Sequence, residues 1–154
     1  NVLEIGVGTG RLAIQVVPLC SHFTGVDISP KTVEKVKSNL SQFENVTILC
    51  DDFLRVDFEE KQFDVIYSSL TFMHISDKLS AIKKVSKHLK TDGVFVVSID
   101  KNQNETIDYG ARTITVYPDT PENFQMYVEA TGLIVENTFE TELANVFVIK
   151  KKVC

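Results

Sequence analysis

Val2-Leu3-Glu4-Ile5-Gly6-Val7-Gly8-Thr9-Gly10 decides how this chain is read. An apolar run carrying one acid meets three glycines at alternate positions, and Arg11-Leu12-Ala13-Ile14 then reads as the start of a helix. The pattern is strand, tight turn, helix. Glycine has no Cβ and takes positive φ, so such a turn can bring bare backbone N–H groups close to a ligand. A dinucleotide site wants Gly-x-Gly-x-x-Gly, with its third glycine one residue later. Here the spacing is Glu-x-Gly-x-Gly-x-Gly, and Glu4 precedes the first glycine by two residues, where a dinucleotide strand is apolar. A carboxylate at that place suits a ligand carrying positive charge and would repel a pyrophosphate.

The rest of the composition bounds the answer. A length of 154 residues predicts one domain, and 44% hydrophobic residues give it a core. No apolar run reaches membrane-span length and no signal peptide is visible, so no membrane partner is expected. Cys20, Cys50 and Cys154 lie far apart without metal-type spacing. A sparse, odd count predicts reduced thiols and a cytoplasmic location. Cys50 falls in a strand expected to be buried. The acids form neither an EF-hand nor a zinc pattern, so no metal site is expected. A net charge of −5 opposes general nucleic-acid binding. The one lysine cluster, Lys83, Lys84, Lys87 and Lys90, reads as the solvated face of a helix.

Strands and helices alternate along the chain, which predicts a mostly parallel sheet covered on both faces. Val2–Ile5 is the first strand, and a helix runs from Arg11 to near Pro18. The second strand, His22–Val26, ends at Asp27. Ser29 then caps a helix with Pro30 at its first position and Val33, Val36, Leu40 and Phe43 on one face. Val46–Cys50 is the third strand, Asp51–Gln62 a loop, and Phe63–Ser68 the fourth strand. A helix from Asp77 to Leu89 turns Leu79, Ile82, Val85 and Leu89 inward and is expected to stop at Gly93. Val94–Ile99 is the fifth strand. Asp100–Asp119 is irregular, with Thr113–Tyr117 extended. A helix begins at Thr120-Pro121 and stops at Gly132. Leu133–Phe139 and Asn145–Lys150 end the chain as an antiparallel pair, because their link is too short for a helical crossover.

Four motifs, in order, resemble those of the class I S-adenosylmethionine (SAM) dependent methyltransferases. The first is the Glu4–Gly10 stretch. The second is Asp27, which falls 17 positions after Gly10 at a strand end. The third is Asp51-Asp52-Phe53, followed by Val56-Asp57-Phe58 where the family often shows Leu-Pro-Phe. Asp57 replaces that proline and should loosen the loop. The fourth is Phe63-Asp64-Val65-Ile66-Tyr67-Ser68-Ser69-Leu70, similar to the family's Phe-Asp-x-Val-x-x-Ser. The resemblance implies an α/β fold, a Rossmann-like doubly wound seven-stranded, mostly parallel sheet in the order 3-2-1-4-5-7-6 with the last strand antiparallel.

It also implies SAM as cofactor, a small-molecule acceptor, and roles for particular residues. Glu4, Gly6, Gly8 and Gly10 would form the cofactor turn. Asp27 would accept from the ribose hydroxyls, with Ile28 against the adenine. Asp52 would accept from the adenine amine, and the Phe53 N–H would donate to a ring nitrogen. The Ser68 carbonyl would meet the cofactor's amino group, and Asp64 would be structural. His74 is a weak candidate for a general base, and Tyr67, Asp100, Asp108 and Tyr109 are weaker candidates for facing the acceptor. His22 and His88 read as strand-start and helix-surface residues.

The chain lacks the Asn-Pro-Pro-Tyr or Asp-Pro-Pro-Tyr marker of base-amine methylation, and the Pro-Cys pair of cytosine C5 nucleophiles. The rivals are a non-catalytic SAM-binding module, a nicotinamide-dependent oxidoreductase and an aminopropyl transferase. In the family, helices precede the first strand and fold over the cofactor. The chain opens at Asn1 with that strand, so the expectation is a core domain of a longer enzyme without its N-terminal lid helices. The acceptor and the oligomeric state are not legible.

Overall fold

The computed structural model describes residues 1–153; Cys154 lies outside the described residues. The elements are Val2–Ile5 (β1), Ala13–Val16 (α1), Phe23–Asp27 (β2), Pro30–Asn39 (α2), Val46–Cys50 (β3), Phe63–Ser69 (β4), Lys78–His88 (α3), Leu89–Asp100 (β5), Thr106–Asp108 (β6), Thr113–Thr115 (β7), Pro121–Glu129 (α4), Leu133–Glu140 (β8) and Ala144–Lys151 (β9). Seven of the strands form one sheet in the order β3-β2-β1-β4-β5-β9-β8. β1 to β5 are parallel and β9 is antiparallel to both of its neighbours. This is the order that the resemblance implied. β6 and β7 pair separately as a small antiparallel hairpin.

Alternation along β1 divides the core in two. Leu3 and Ile5 point into a cluster with Ile82, Val85, Phe124 and Phe147, beneath α3 and α4. Val2 points the other way, into a cluster with Ala13, Val17, Val33 and Val36 beneath α1 and α2. Glu4 shares that second face. A strand flanked on both edges and both faces is buried throughout, as β1 is.

Local chemistry explains where three of the four helices begin. The Ser29 hydroxyl accepts from the Thr32 N–H at 3.3 Å, with Pro30 opening α2. The Asp77 and Thr120 side chains cap α3 and α4 in the same way.

The structure corrects several expectations. The first helix is a single α-turn followed by a 3-10 turn over Val17–Leu19. α3 ends at His88, and extended backbone at Leu89 starts β5 well before Gly93. Gly93 is not a helix stop. It lies inside β5 at an irregularity in the β4–β5 register, where a Cβ would come within 3.0 Å of the Asp64 carbonyl. Leu79 is half-buried, whereas Lys78 and His88 are buried. His88 is therefore not a surface residue. Its Nδ1 lies 2.8 Å from the Lys61 carbonyl and its ring packs edge-on against Phe58. Cys50 is exposed rather than buried, because β3 is an edge strand. No helix among the described residues is long and apolar enough to cross a membrane.

Candidate functional site

In an open parallel sheet, ligands collect beyond the carboxyl ends of the strands where the strand order reverses. That reversal lies between β1 and β4, and a cavity of about 450 Å³ opens there. Its walls come from the glycine turn (Gly6, Gly8), the end of β2 (Asp27, Ile28), the segment after β3 (Asp51 to Leu54) and the segment after β4 (Leu70, Thr71 and His74 to Ser76). The structure thus gathers Gly6, Gly8, Asp27, Ile28, Asp52, Phe53 and His74 around one space.

The turn does not work as its glycines suggested. The N–H groups of Gly6 and Val7 both donate to the Val26 carbonyl, at 2.8 and 3.0 Å, and the Gly10 N–H donates to Val7. The Gly8 N–H donates to Asp27 Oδ2 at 3.0 Å. These groups are engaged inside the protein and do not form a bare anion cradle. Placing a carboxylate against the turn removes the site's use for a pyrophosphate.

The three glycines serve different ends. At Gly6, a Cβ would fall 2.2 Å from Thr71 Oγ1. At Gly10, it would meet Val36 at 2.9 Å, and Gly10 does not line the cavity. At Gly8, φ is +58° and a Cβ would meet nothing within 4 Å, so this is where the backbone stands open to the cavity.

Asp27 also accepts from the Ser29 N–H, at 3.0 Å on Oδ1. Each of its oxygens makes one hydrogen bond to a backbone N–H and keeps capacity for a ligand donor. Asp52 Oδ1 accepts from the Leu54 N–H at 2.9 Å. Among the described residues, the Phe53 N–H has no acceptor, although the residue is buried. Ile28 holds an apolar side chain at the rim, 69% exposed. Together these offer an acceptor pair for hydroxyls, an acceptor beside a free donor for a base edge, and an apolar surface for its face. The cavity is of ordinary small-ligand size. These features fit an adenosine-bearing ligand.

Glu4 is placed otherwise than expected. It is 2% exposed and is not among the residues lining this cavity; its Oε1 accepts from the Tyr67 hydroxyl at 2.8 Å. Burial pushes its carboxyl up to about 7; the Tyr67 hydrogen bond pulls it down and the Asp27 charge pushes it up. Burial and the adjacent Glu4 hold the Tyr67 phenol well above its ordinary range.

Ser68 is likewise buried, and its hydroxyl donates to the Ile5 carbonyl at 3.0 Å. It lines a second cavity, of about 510 Å³, with Tyr67, Ser69, Leu12, Val96 and Leu143 among its walls. Leu70 lines both cavities. Asp100, Asp108 and Tyr109 line neither.

Sequence reasoning missed Leu70 and Thr71. Leu70 has φ +51°, a rare conformation for a leucine, at the seam of the two cavities. Its N–H donates to Ser98 Oγ at 3.0 Å. Nothing in a Ser-Ser-Leu-Thr stretch announces this. Among the described residues, no cluster of three metal-ligating side chains occurs.

Residues 2–93 match a family model described as "Methyltransferase domain". Curated relatives include the malonyl-[acyl-carrier protein] O-methyltransferase of Bacillus anthracis, 32% identical over 100 residues, which are 64% of this chain and 36% of that protein. The demethylmenaquinone methyltransferase of Staphylococcus aureus is 29% identical over 106 residues, 67% of this chain and 44% of that protein. The chain spans less than half the length of either. Among solved structures, a SAM-dependent methyltransferase from Clostridium acetobutylicum superposes with a TM-score of 0.83 at 17% identity, over 99% of this chain and 84% of that one, a likeness of fold. The matched family model spans the turn, Asp27, Asp52 and β4, and on that match the chain belongs to the S-adenosylmethionine-dependent methyltransferase family.

Proposed function

We propose that this domain transfers the methyl group of SAM to a small-molecule acceptor. The observation that carries the reading is the cavity at the β1/β4 reversal, where Asp27, Asp52, the free Phe53 N–H and the open face of Gly8 converge. Relatives named for malonyl-[acyl-carrier protein] and demethylmenaquinone support a small acceptor. The acidic charge balance argues against nucleic acid, and the free thiols suit a cytoplasmic protein.

When bound, the cofactor supplies a methyl group on a positively charged sulfur. The protein's work is to hold, align and exclude water. Asp27 accepts from the ribose hydroxyls. Asp52 accepts from the adenine amine, the Phe53 N–H donates to a ring nitrogen, and Ile28 covers the adenine face. The turn at Gly6 and Gly8 lets the ligand approach the backbone, while Gly10 secures the turn against α2 and Glu4 adds negative charge from behind. Ser68, at the second cavity, offers its carbonyl to the cofactor's amino group. The second cavity, which shares Leu70 with the first, takes the acceptor. His74 lines the first cavity and not the second, so it takes a proton only from an acceptor that reaches past Leu70.

Calorimetry with SAM, S-adenosylhomocysteine and NADH, followed by an acceptor screen read by S-adenosylhomocysteine release, tests this. Binding of the first two but not NADH, with turnover on at least one acceptor, is expected. Binding of NADH alone would return the oxidoreductase reading. Tight SAM binding with no turnover on any acceptor would favour a binding module.

A further inference from the structure

We propose that Glu4, acting with Tyr67, lets the site discriminate the sulfonium cofactor from its uncharged thioether product. The inference rests on the cofactor reading above and deepens it.

Among the described residues, Glu4 is the one carboxyl that is almost wholly buried. It has a hydroxyl for a partner and no cation. Among the described residues, no lysine, arginine or histidine makes an ion pair with it. The groups facing it can be named element by element. β2 presents Asp27, an anion that disfavours a second one beside it. β4 presents Tyr67. The segment after α1 presents Cys20 to Tyr67, and burial pushes that thiol up, so that it adds no charge near neutrality. α1, its 3-10 extension and α2 turn Ala13, Val17, Val33 and Val36 to this face, all apolar.

A buried carboxylate without a cation is a costly species, and protonation relieves it. Glu4 precedes the first glycine of the turn by two residues, and its partner Tyr67 lines the second cavity. A fixed positive charge in the site supplies the missing cation through a medium of low dielectric. A ligand of the same shape with a neutral sulfur does not. Glu4 therefore gives its proton to solvent when the sulfonium form binds, and takes one back when the sulfur becomes neutral. The product loses an attraction that the substrate had, which favours its release. Tyr67 sets the threshold, because its hydroxyl donates to the ionised form and favours it.

Titration calorimetry of SAM and S-adenosylhomocysteine, from about pH 6 to about pH 8 in buffers of differing ionisation heat, reads this without turnover. The affinity ratio of SAM to S-adenosylhomocysteine should rise about tenfold for each unit by which the sulfonium lowers the Glu4 pKa. SAM should release a proton that S-adenosylhomocysteine does not. Both ligands carry an α-amino group that also titrates; Glu4→Gln supplies that baseline and should flatten the ratio beneath it. Tyr67→Phe keeps Glu4 and should move the rise to higher pH, which serves also if Glu4→Gln fails to fold. A ratio that does not change with pH in the wild type, or a rise equally large in Glu4→Gln, overturns the inference while leaving the cofactor reading intact. Failure of both ligands to bind at any pH overturns the cofactor reading, and this inference with it.

Discussion

At the scale of the residue, the glycine turn makes the sharpest claims. Gly8→Val places a branched side chain at φ +58° in open space. It should cost about 1–2 kcal/mol of stability from backbone strain and abolish cofactor binding in a protein that still folds. Gly6→Ala should do the reverse in emphasis, because its Cβ would overlap Thr71 in the wall itself; thermal melting should show the larger loss there. Asp27→Ala removes the acceptors of the Gly8 and Ser29 N–H groups as well as the ligand's. Affinity for SAM should fall by about 1.5–3 kcal/mol, and calorimetry on a folded variant giving wild-type affinity would remove Asp27 from the site. Glu4 carries a pH signature of its own. Its carboxyl is raised in the folded state to about 7 from 4.5, so between those values the native protein holds a proton that the unfolded chain has lost. Stability contributed by protonated Glu4 is therefore lost as pH rises through that window. Relative to Glu4→Gln, the wild type should lose about 2 kcal/mol between about pH 5 and about pH 8 by chemical denaturation. An unchanging difference between the two proteins would contradict a buried, proton-holding Glu4. The sequence put an acid at this place and a cation as its complement. It could not show that Tyr67 donates to the Glu4 carboxyl, because that pairing runs across neighbouring strands 63 positions apart.

At the scale of the element, Lys78 is the most consequential side chain outside the cavity. It opens α3, is 5% exposed, and its ammonium donates to the Ile75 and Tyr117 carbonyls and pairs with Asp119 at 3.0 Å. The Tyr117 N–H donates to the Met73 carbonyl at 2.7 Å. Lys78 thus fastens the far end of the β6–β7 excursion to the segment that carries His74. Lys78→Met would leave Asp119 without its cation in a place that is only 10% exposed. It should cost about 3–5 kcal/mol and make residues 101–119 the first site of limited proteolysis; a variant as stable and as protease-resistant as the wild type would show the clasp to be idle. Helical spacing and capping residues made α2, α3 and α4 legible. The same rules failed at the end of α3. A helix that passes straight into a strand at Leu89 carries no stop signal, so Gly93 attracted that role, though it is a close-approach glycine within β5. His88 reads as a surface residue because its type is usually solvated, and nothing near Lys78 announces its burial. Their burial follows from partners on the 61 and 117–119 segments, which no local pattern reveals.

At the scale of the whole molecule, one sheet with a core on each face sets four strand ends around a single opening. Periodicity supplied the kinds of element, and the ordered motifs supplied the strand order, since spacing alone does not say which strands are neighbours. The motifs also foresaw that Asp27, Asp52 and Gly8 meet, although more than forty positions separate the first glycine from Asp52. What they did not foresee was a second cavity sharing Leu70 with the first, with Ser68 and Tyr67 on one and His74 on the other. That division depends on the register between β4, β5 and β9. The central claim is that the cavity at the β1/β4 reversal is the cofactor site. A crystal structure of the protein with S-adenosylhomocysteine tests it most directly. The account predicts ribose hydroxyls on the Asp27 carboxylate and the adenine edge between the Asp52 side chain and the Phe53 N–H. Ligand density elsewhere on the molecule, with that cavity empty, would contradict it.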